Sequence, residues 1–291
     1  MSLQVTPFSD LASKIVRIKK TESILPIAQK TAVINTLLVG DDLVLRTSLT
    51  SPVSYDREMI KLLHKHSVFV EKDETITPTL DAFSYNLSNI DKICLIWGLY
   101  KSSYDVLDKE REIECSSCKT KSKHHINMDD LIHEDTFNIW DKEVPFYEYN
   151  YIFDCEYENY VYRFHTKLPS IQDNNIMLNL ISIDALQYNI EKTGSLFTKG
   201  QRMALITNNI ELFEKSNPDS KVCTSSFQEI LIAYDKYIPH QVAKEFFNNY
   251  SSHFDKYVPE FYYNVECPSC KNKFKHNVDL ELEFFRKCIL G

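Results

Sequence analysis

The chain reads as an α+β protein: a mainly helical body, one β-hairpin, and a ribbon formed by two distant C-x-x-C knuckles. Three observations carry this. Apolar residues recur at helical spacing over much of the chain. The stretch YEYNYIFDCEYENYVYRFHT is dense in β-formers. The pairs Cys115/Cys118 and Cys267/Cys270 sit in two closely similar blocks of sequence.

Taken in order, the elements fall into four regions. Residues 1–106 are expected to be helical. Ile27, Ala28, Ala32, Val33, Leu37 and Leu38 suggest a helix over 27–49, interrupted at Gly40. A second helix starts near Ser54, after Pro52, with Met59, Ile60, Leu62 and Leu63 as its apolar face and His64 and His66 at the surface near its end. Residues 71–86, with Pro78, read as loop. Ser88 followed three residues later by Asp91 signals a helix start, and Ile90, Ile93, Cys94, Trp97 and Tyr100 then follow on one face. Residues 107–170 hold the first knuckle, as a short hairpin, and a second hairpin turning near Glu158 and Asn159 and closed by Leu168 and Pro169. Residues 171–260 read as helices over 173–193, 201–215, 225–237 (capping box Ser225/Gln228) and 239–254, with Pro239 in a first turn. Residues 261–291 carry the second knuckle and a tail.

Bulk composition bounds the function. At 291 residues, 43% hydrophobic and 25% charged, the chain has material for one large or two medium domains. Its formal charge of −8 repels polyanions, so a nucleic-acid role would need a local basic patch. No apolar run approaches the roughly eighteen residues of a membrane span, and the first residues lack a signal-peptide core. The expectation is a soluble chain without membrane insertion, made in a reducing cytoplasm. There its eight cysteines (Cys94, Cys115, Cys118, Cys155, Cys223, Cys267, Cys270 and Cys288) favour metal over disulfides. Seventeen Tyr and seventeen Phe against five Gly suit packing and protein interfaces rather than phosphate-cradling loops.

The repeat is the sharpest signal. IECSSCKTKSKHHINM (residues 113–128) and VECPSCKNKFKHNVDL (265–280) share eight of sixteen positions. A C-x-x-C turn aims two thiolates to one side of a hairpin and leaves two tetrahedral positions open, which a second knuckle fills. Zinc accepts four thiolates without redox change, so the expectation is one structural Zn2+ per chain on Cys115, Cys118, Cys267 and Cys270. Closing it makes the 148 residues between the pairs one loop through the metal. The rival readings are separate metals completed by His124, His125, His133, His276 or Cys288, a redox pair, and cysteines that bind nothing. A redox pair would want a helix directly after it, where lysine-rich strand follows instead. Lys119, Lys121, Lys123, Lys271, Lys273 and Lys275 either solvate strand edges or form a nucleic-acid patch; the acidic whole favours the first.

On these residues the chain resembles the baseplate hub proteins of T-even-like contractile-tailed bacteriophages. The resembling segment is LSNIDKICLIWGLYKSSYDVLDKEREIECSSCKTKSKHHINMDDL, with a looser likeness over 149–169 and in ILPIAQKTAVINTLL, which looks like that family's opening helix. Lys119 and Lys271 stand where the family often has a glycine after the second cysteine. The resemblance implies a structural virion component or assembly factor, put together in the bacterial host cytoplasm. Its implied partners are other hub proteins, tail-tube proteins and the tape-measure protein.

Catalysis is not expected. Four cysteines leave no open metal position, no GxxxxGK[ST], GxSxG or HExxH pattern occurs, and Asp154, Glu156 and Glu158 alternate as a solvated strand face would. No small-molecule substrate is implied. The alternative reading is a zinc-ribbon nucleic-acid-binding or transcription adapter acting through the knuckle lysines.

Overall fold

The computed structural model describes residues 19–48, 51–71, 74–104, 106–131, 137–182, 184–185, 188–189 and 197–278. Strands β1 (Lys20–Leu25) and β2 (Lys30–Asn35) form an antiparallel hairpin, with Gln29 at φ 55° in its turn. Ser23, Leu25, Ala32 and Ile34 alternate onto its buried face. Helices α1 (Val39–Ser48) and α2 (Pro52–His66) follow, α2 capped by the Ser51 side chain. The chain returns as β3 (Ser67–Glu71) and β4 (Glu74–Ile76), completing a sheet of order β1-β2-β3-β4. Helices α3 (Leu80–Asn86) and α4 (Asn89–Ser103) lead into the hairpin β5 (Val106–Glu114) and β6 (Lys121–Asn127).

The second half repeats that order. Hairpin β7 (Tyr151–Tyr157) and β8 (Tyr160–Thr166) is followed by helices α5 (Ile171–Leu180) and α6 (Lys199–Leu205). Strands β9 (Thr207–Glu214) and β10 (Asn217–Thr224) complete a second sheet, again with its strands side by side in sequence order. Helices α7 (Phe227–Lys236) and α8 (His240–Phe254) then lead to hairpin β11 (Tyr262–Glu266) and β12 (Lys273–Asn277). Helices α4 and α8 are both fifteen residues long, and each packs against the first strand of its own sheet.

Helix α4 is the most heavily tied element. Its N-cap Ser88 and Asp91 form a reciprocal capping box, and the Asp91 carboxylate also accepts the N–H groups of Ile27 (3.0 Å) and Ala28 (3.3 Å). The helix start is thereby bound to the β1–β2 turn. Burial pushes the Asp91 carboxyl up to about 6 against the pull of Ser88 and those amides. Further along, Ser23 donates to the Cys94 carbonyl at 3.0 Å, and Gly98 lies so close to Ile34 that a Cβ there would overlap its side chain.

Two apolar clusters result. The first gathers Leu25, Ile34, Phe69, Trp97 and Tyr100; the second gathers Trp140, Phe153, Phe164, Phe246 and Phe254. Phe261 and the β11 residues Tyr263 and Val265 belong to the first cluster, so this hairpin of the second half packs into the core of the first. The halves also meet where the Asn89 N–H donates to the Pro169 carbonyl (3.1 Å) and the Ile171 N–H to that of Leu87 (2.9 Å). Asp141, between the halves, binds Lys256 (2.8 Å), Lys142 (3.0 Å) and the Tyr257 hydroxyl.

The α+β class, helices α2 and α4 and both predicted hairpins stand as expected. Each region expected to be helical also carries strands of a four-stranded sheet, so helix and sheet share the body. The helix expected over 27–49, including the opening segment of the resemblance, is instead the β1–β2 hairpin and then α1. Thr31, Val33 and Ile34 favour strand, and Ala28, Ala32 and Val33 mimicked a helical stripe. The stretch read as loop over 71–86 contains β4 and α3, which is capped by Thr79. The helix expected over 201–215 stops at Leu205, and β9 takes over by pairing with β8. Helix α5 ends at Leu180; part of the expected remainder to 193 lies outside the described residues, as does the tail from 279. Ser225 does not cap α7: its N-cap is Ser226, without a side-chain bond. His66 is buried rather than at the surface, its Nε2 2.8 Å from Asp41, while His64 is half-buried with Nε2 2.7 Å from the Pro78 carbonyl.

Two outcomes check this packing. Gly98→Ala is expected to destabilise the chain by about 1–3 kcal/mol in urea unfolding, because overpacking displaces Ile34; an unchanged midpoint would mean α4 does not lie this close. Lys256, Tyr257 and Lys142 hold Asp141 well below its unfolded value of 3.8, so its contribution is present above that value and lost as pH falls. Wild-type stability should therefore drop more steeply than that of Asp141→Asn between about pH 5 and pH 3. Parallel curves would remove Asp141 from the account.

Candidate metal centre

The repeated sequence blocks fold into repeated geometry. In β5–β6, Glu114 pairs with Lys121, Ile113 with Ser122 and Arg111 with His124; in β11–β12, Glu266 pairs with Lys273, Val265 with Phe274 and Tyr263 with His276. The turns match as well. The Cys115 N–H donates to the Thr120 carbonyl (2.9 Å) and the Lys119 N–H to that of Cys115 (3.0 Å). Cys267 with Asn272 and Lys271 with Cys267 make the same two bonds, each at 2.9 Å. Lys119 and Lys271 take φ 61° and 60°, the left-handed conformation that glycine adopts at least cost. The lysines take up this conformation and the turn hydrogen bonds still form.

The apolar undersides of both hairpins orient the turns. Ile113, Ile126, Val265 and Val278 are buried in the first cluster, and Phe261 stacks on Trp97 with ring centroids 6.5 Å apart. The first cysteine of each pair is thereby buried, at 1% exposure for both Cys115 and Cys267, while Cys118 and Cys270 are exposed.

All four Sγ atoms lie within 4.8 Å of one another. Cys115 approaches Cys270 at 3.7 Å and Cys118 approaches Cys267 at 3.6 Å, so the short contacts run between knuckles. These are far too long for a disulfide, whose sulfurs are bonded at about 2.05 Å. A tetrahedral ion with metal–sulfur distances of about 2.3 Å requires sulfur–sulfur edges of about 3.8 Å, which the two contacts approach. Among the described residues no other group of three or more His, Cys, Asp or Glu side chains lies close enough to hold a metal ion.

Electrostatics point the same way. The Cys118 N–H draws the Cys115 thiol below its ordinary range, and the Thr120 hydroxyl and N–H bring Cys118 down to about 6. The Asn272 N–H pulls on Cys270 too, but the sulfurs of Cys118, Cys115 and Cys267, with burial, outweigh it and push Cys270 up to about 12. Four clustered sulfurs cannot all carry charge unless a cation replaces their protons.

Among the described residues the other candidate ligands do not join the cluster. His124 Nε2 is 2.8 Å from the Ser122 hydroxyl, His125 Nε2 is 3.1 Å from Asn127, and the His276 ring packs on Tyr263. His133 and Cys288 lie outside the described residues. Knuckle lysines face glutamates across the hairpins, with Lys121 at 3.3 Å from Glu112, Lys123 at 2.8 Å from Glu110 and Lys273 at 3.6 Å from Glu266. Lys275 sits 3.9 Å over the Tyr262 ring. Asp154 is likewise engaged, by Nε and Nη2 of Arg163, each at 2.8 Å, and Glu156 by Lys215.

Sequence reading missed Thr120 and Asn272, which occupy one repeat position and both contact cysteine sulfur. Their equivalence was visible in the aligned blocks; their role was not, because the two side chains differ. No helix of the described residues is long and apolar enough to cross a membrane.

Comparison with known proteins returns no matching family model, no matching curated protein and no matching solved structure.

Cys267→Ser is expected to abolish stoichiometric metal uptake and to lower the thermal midpoint by about 10 °C, since structural metal binding is folding energy. Retained metal with an unshifted midpoint would sink the shared four-cysteine centre.

Proposed function

We propose that this chain is a structural component or assembly factor of a phage tail baseplate hub, held in shape by one zinc ion on Cys115, Cys118, Cys267 and Cys270. The observation that carries the clasp is the convergence of four sulfurs from two knuckles far apart in sequence. Zinc supplies a redox-silent cross-link at such a centre, and a closed thiolate shell leaves no position for substrate. The residues present fit the ion: two half-ready thiolates, a spacing near the tetrahedral edge and no competing disulfide.

The phage assignment rests on the likeness of residues 87–131 to baseplate hub proteins. The surface supports protein partners: Tyr85, Tyr188 and Tyr237 are 56%, 60% and 70% exposed, and tyrosine is favoured at protein interfaces. Other hub proteins, tail-tube proteins and the tape-measure protein are the partners to try. The glutamates facing the knuckle lysines weaken the nucleic-acid adapter reading, since they neutralise the charge that phosphates would need.

Elemental analysis of the chelator-washed chain should return one zinc with four thiols protected from alkylation, and two zincs would mean separate knuckles. Co-sedimentation with tail-tube and hub proteins should survive high salt. Binding only to nucleic acid, with affinity falling steeply as salt rises, would favour the adapter instead.

A further inference from the structure

The two knuckles are near copies, so any position at which they differ reports on what each does for the other. One such position, two residues past the second cysteine, is Thr120 in the first knuckle and Asn272 in the second. Their backbones act alike. Each carbonyl accepts the N–H of its own knuckle's first cysteine, and each N–H donates to its second.

The side chains diverge. The Thr120 hydroxyl stays within its own knuckle, 3.3 Å from Cys118 Sγ. The Asn272 amide crosses to the other knuckle, with Nδ2 3.3 Å from Ser116 Oγ and 4.0 Å from Cys115 Sγ. Asn272 therefore grips the opposite C-x-x-C turn at two consecutive residues, and it does so through protein atoms alone.

We propose that Asn272 is a positioning residue for the metal centre: it sets the register of the two knuckles and donates to the Cys115 thiolate across their interface. Resting on the zinc-clasp reading, this adds a division of labour that the four ligands do not imply. The Cys115–Cys270 and Cys118–Cys267 contacts follow from the register Asn272 holds. An amide also suits the task chemically. Its NH2 group donates to sulfur and to hydroxyl together without bringing a negative charge to a thiolate cluster, which aspartate would do. Outer groups that hydrogen-bond metal ligands typically govern affinity by about 10–100-fold.

The test is a double-mutant cycle on the full chain, titrating Co2+ into reduced protein and following the thiolate-to-cobalt absorption. Asn272→Ala is expected to weaken Co2+ binding by about tenfold or more and to move the charge-transfer band to longer wavelength, as Cys115 loses a hydrogen bond. Ser116→Ala should weaken binding less, and the double variant should be no weaker than Asn272→Ala alone, the signature of one shared contact. Thr120→Val, confined to its own knuckle, should combine additively with Ser116→Ala. Additive losses for Asn272 and Ser116, or an unmoved band in Asn272→Ala, would overturn the positioning role while leaving the metal centre intact. A wild-type chain that gives no tetrathiolate cobalt spectrum would overturn the metal reading and this inference with it.

Discussion

The meeting of two small hairpins is the constraint on which this structure depends. An isolated two-stranded hairpin is marginal in water. Here each is held on one side by the first apolar cluster and at its tip by the other hairpin. Tyr263, Val265 and Val278 from the chain's end share that cluster with Ile113 and Ile126 from its middle. The cysteines sit at the rim of this packing, the first of each pair buried and the second exposed. A metal ion there would lock an arrangement in which all four sulfurs already lie within 4.8 Å of one another and the two contacts between knuckles are 3.7 and 3.6 Å.

The rest of the architecture serves that meeting. Each half runs hairpin, helices, hairpin, helices, knuckle, and in each the fifteen-residue helix before the knuckle lies on the first strand of its own sheet. The halves are not self-contained, because the second knuckle leaves its own sheet to pack on Trp97 of the first half. That crossing, with the backbone bonds linking residues 87–89 to 169–171, makes the two sheets mutually dependent. Neither half opens without disturbing the other's core.

The electrostatic pattern sets the charge of the lysine-rich knuckles against glutamates of the same hairpins. Their glutamates lie on the paired strands, so the ion pairs form across each hairpin at the surface, where each is worth little in stability but offsets the local charge. By contrast, the buried pair of Lys92 with Asp56, 2.6 Å apart, ties α4 to α2. Removing one member there would strand a charge away from water.

Legibility in the sequence followed the range of the forces involved. The Ser88/Asp91 capping box, the proline at the start of α2, the β-rich stretch around Glu158 and the two C-x-x-C blocks are local signals, and each folded as its own residues dictate. The sequence by itself determined the starts of α2 and α4, the β7–β8 turn and the C-x-x-C turn of each knuckle, because these depend on side chains a few residues apart. Only the tertiary structure decided that residues 20–35 and 207–224 are strands, since their apolar spacing suits either element and pairing with β3 and β8 chose between them. The same holds for His66, which a buried Asp41 draws inward, and for Asn272, whose amide acts on a cysteine 157 residues away. Such choices rest on partners distant in the chain, and spacing along one segment carries no record of what will lie against it.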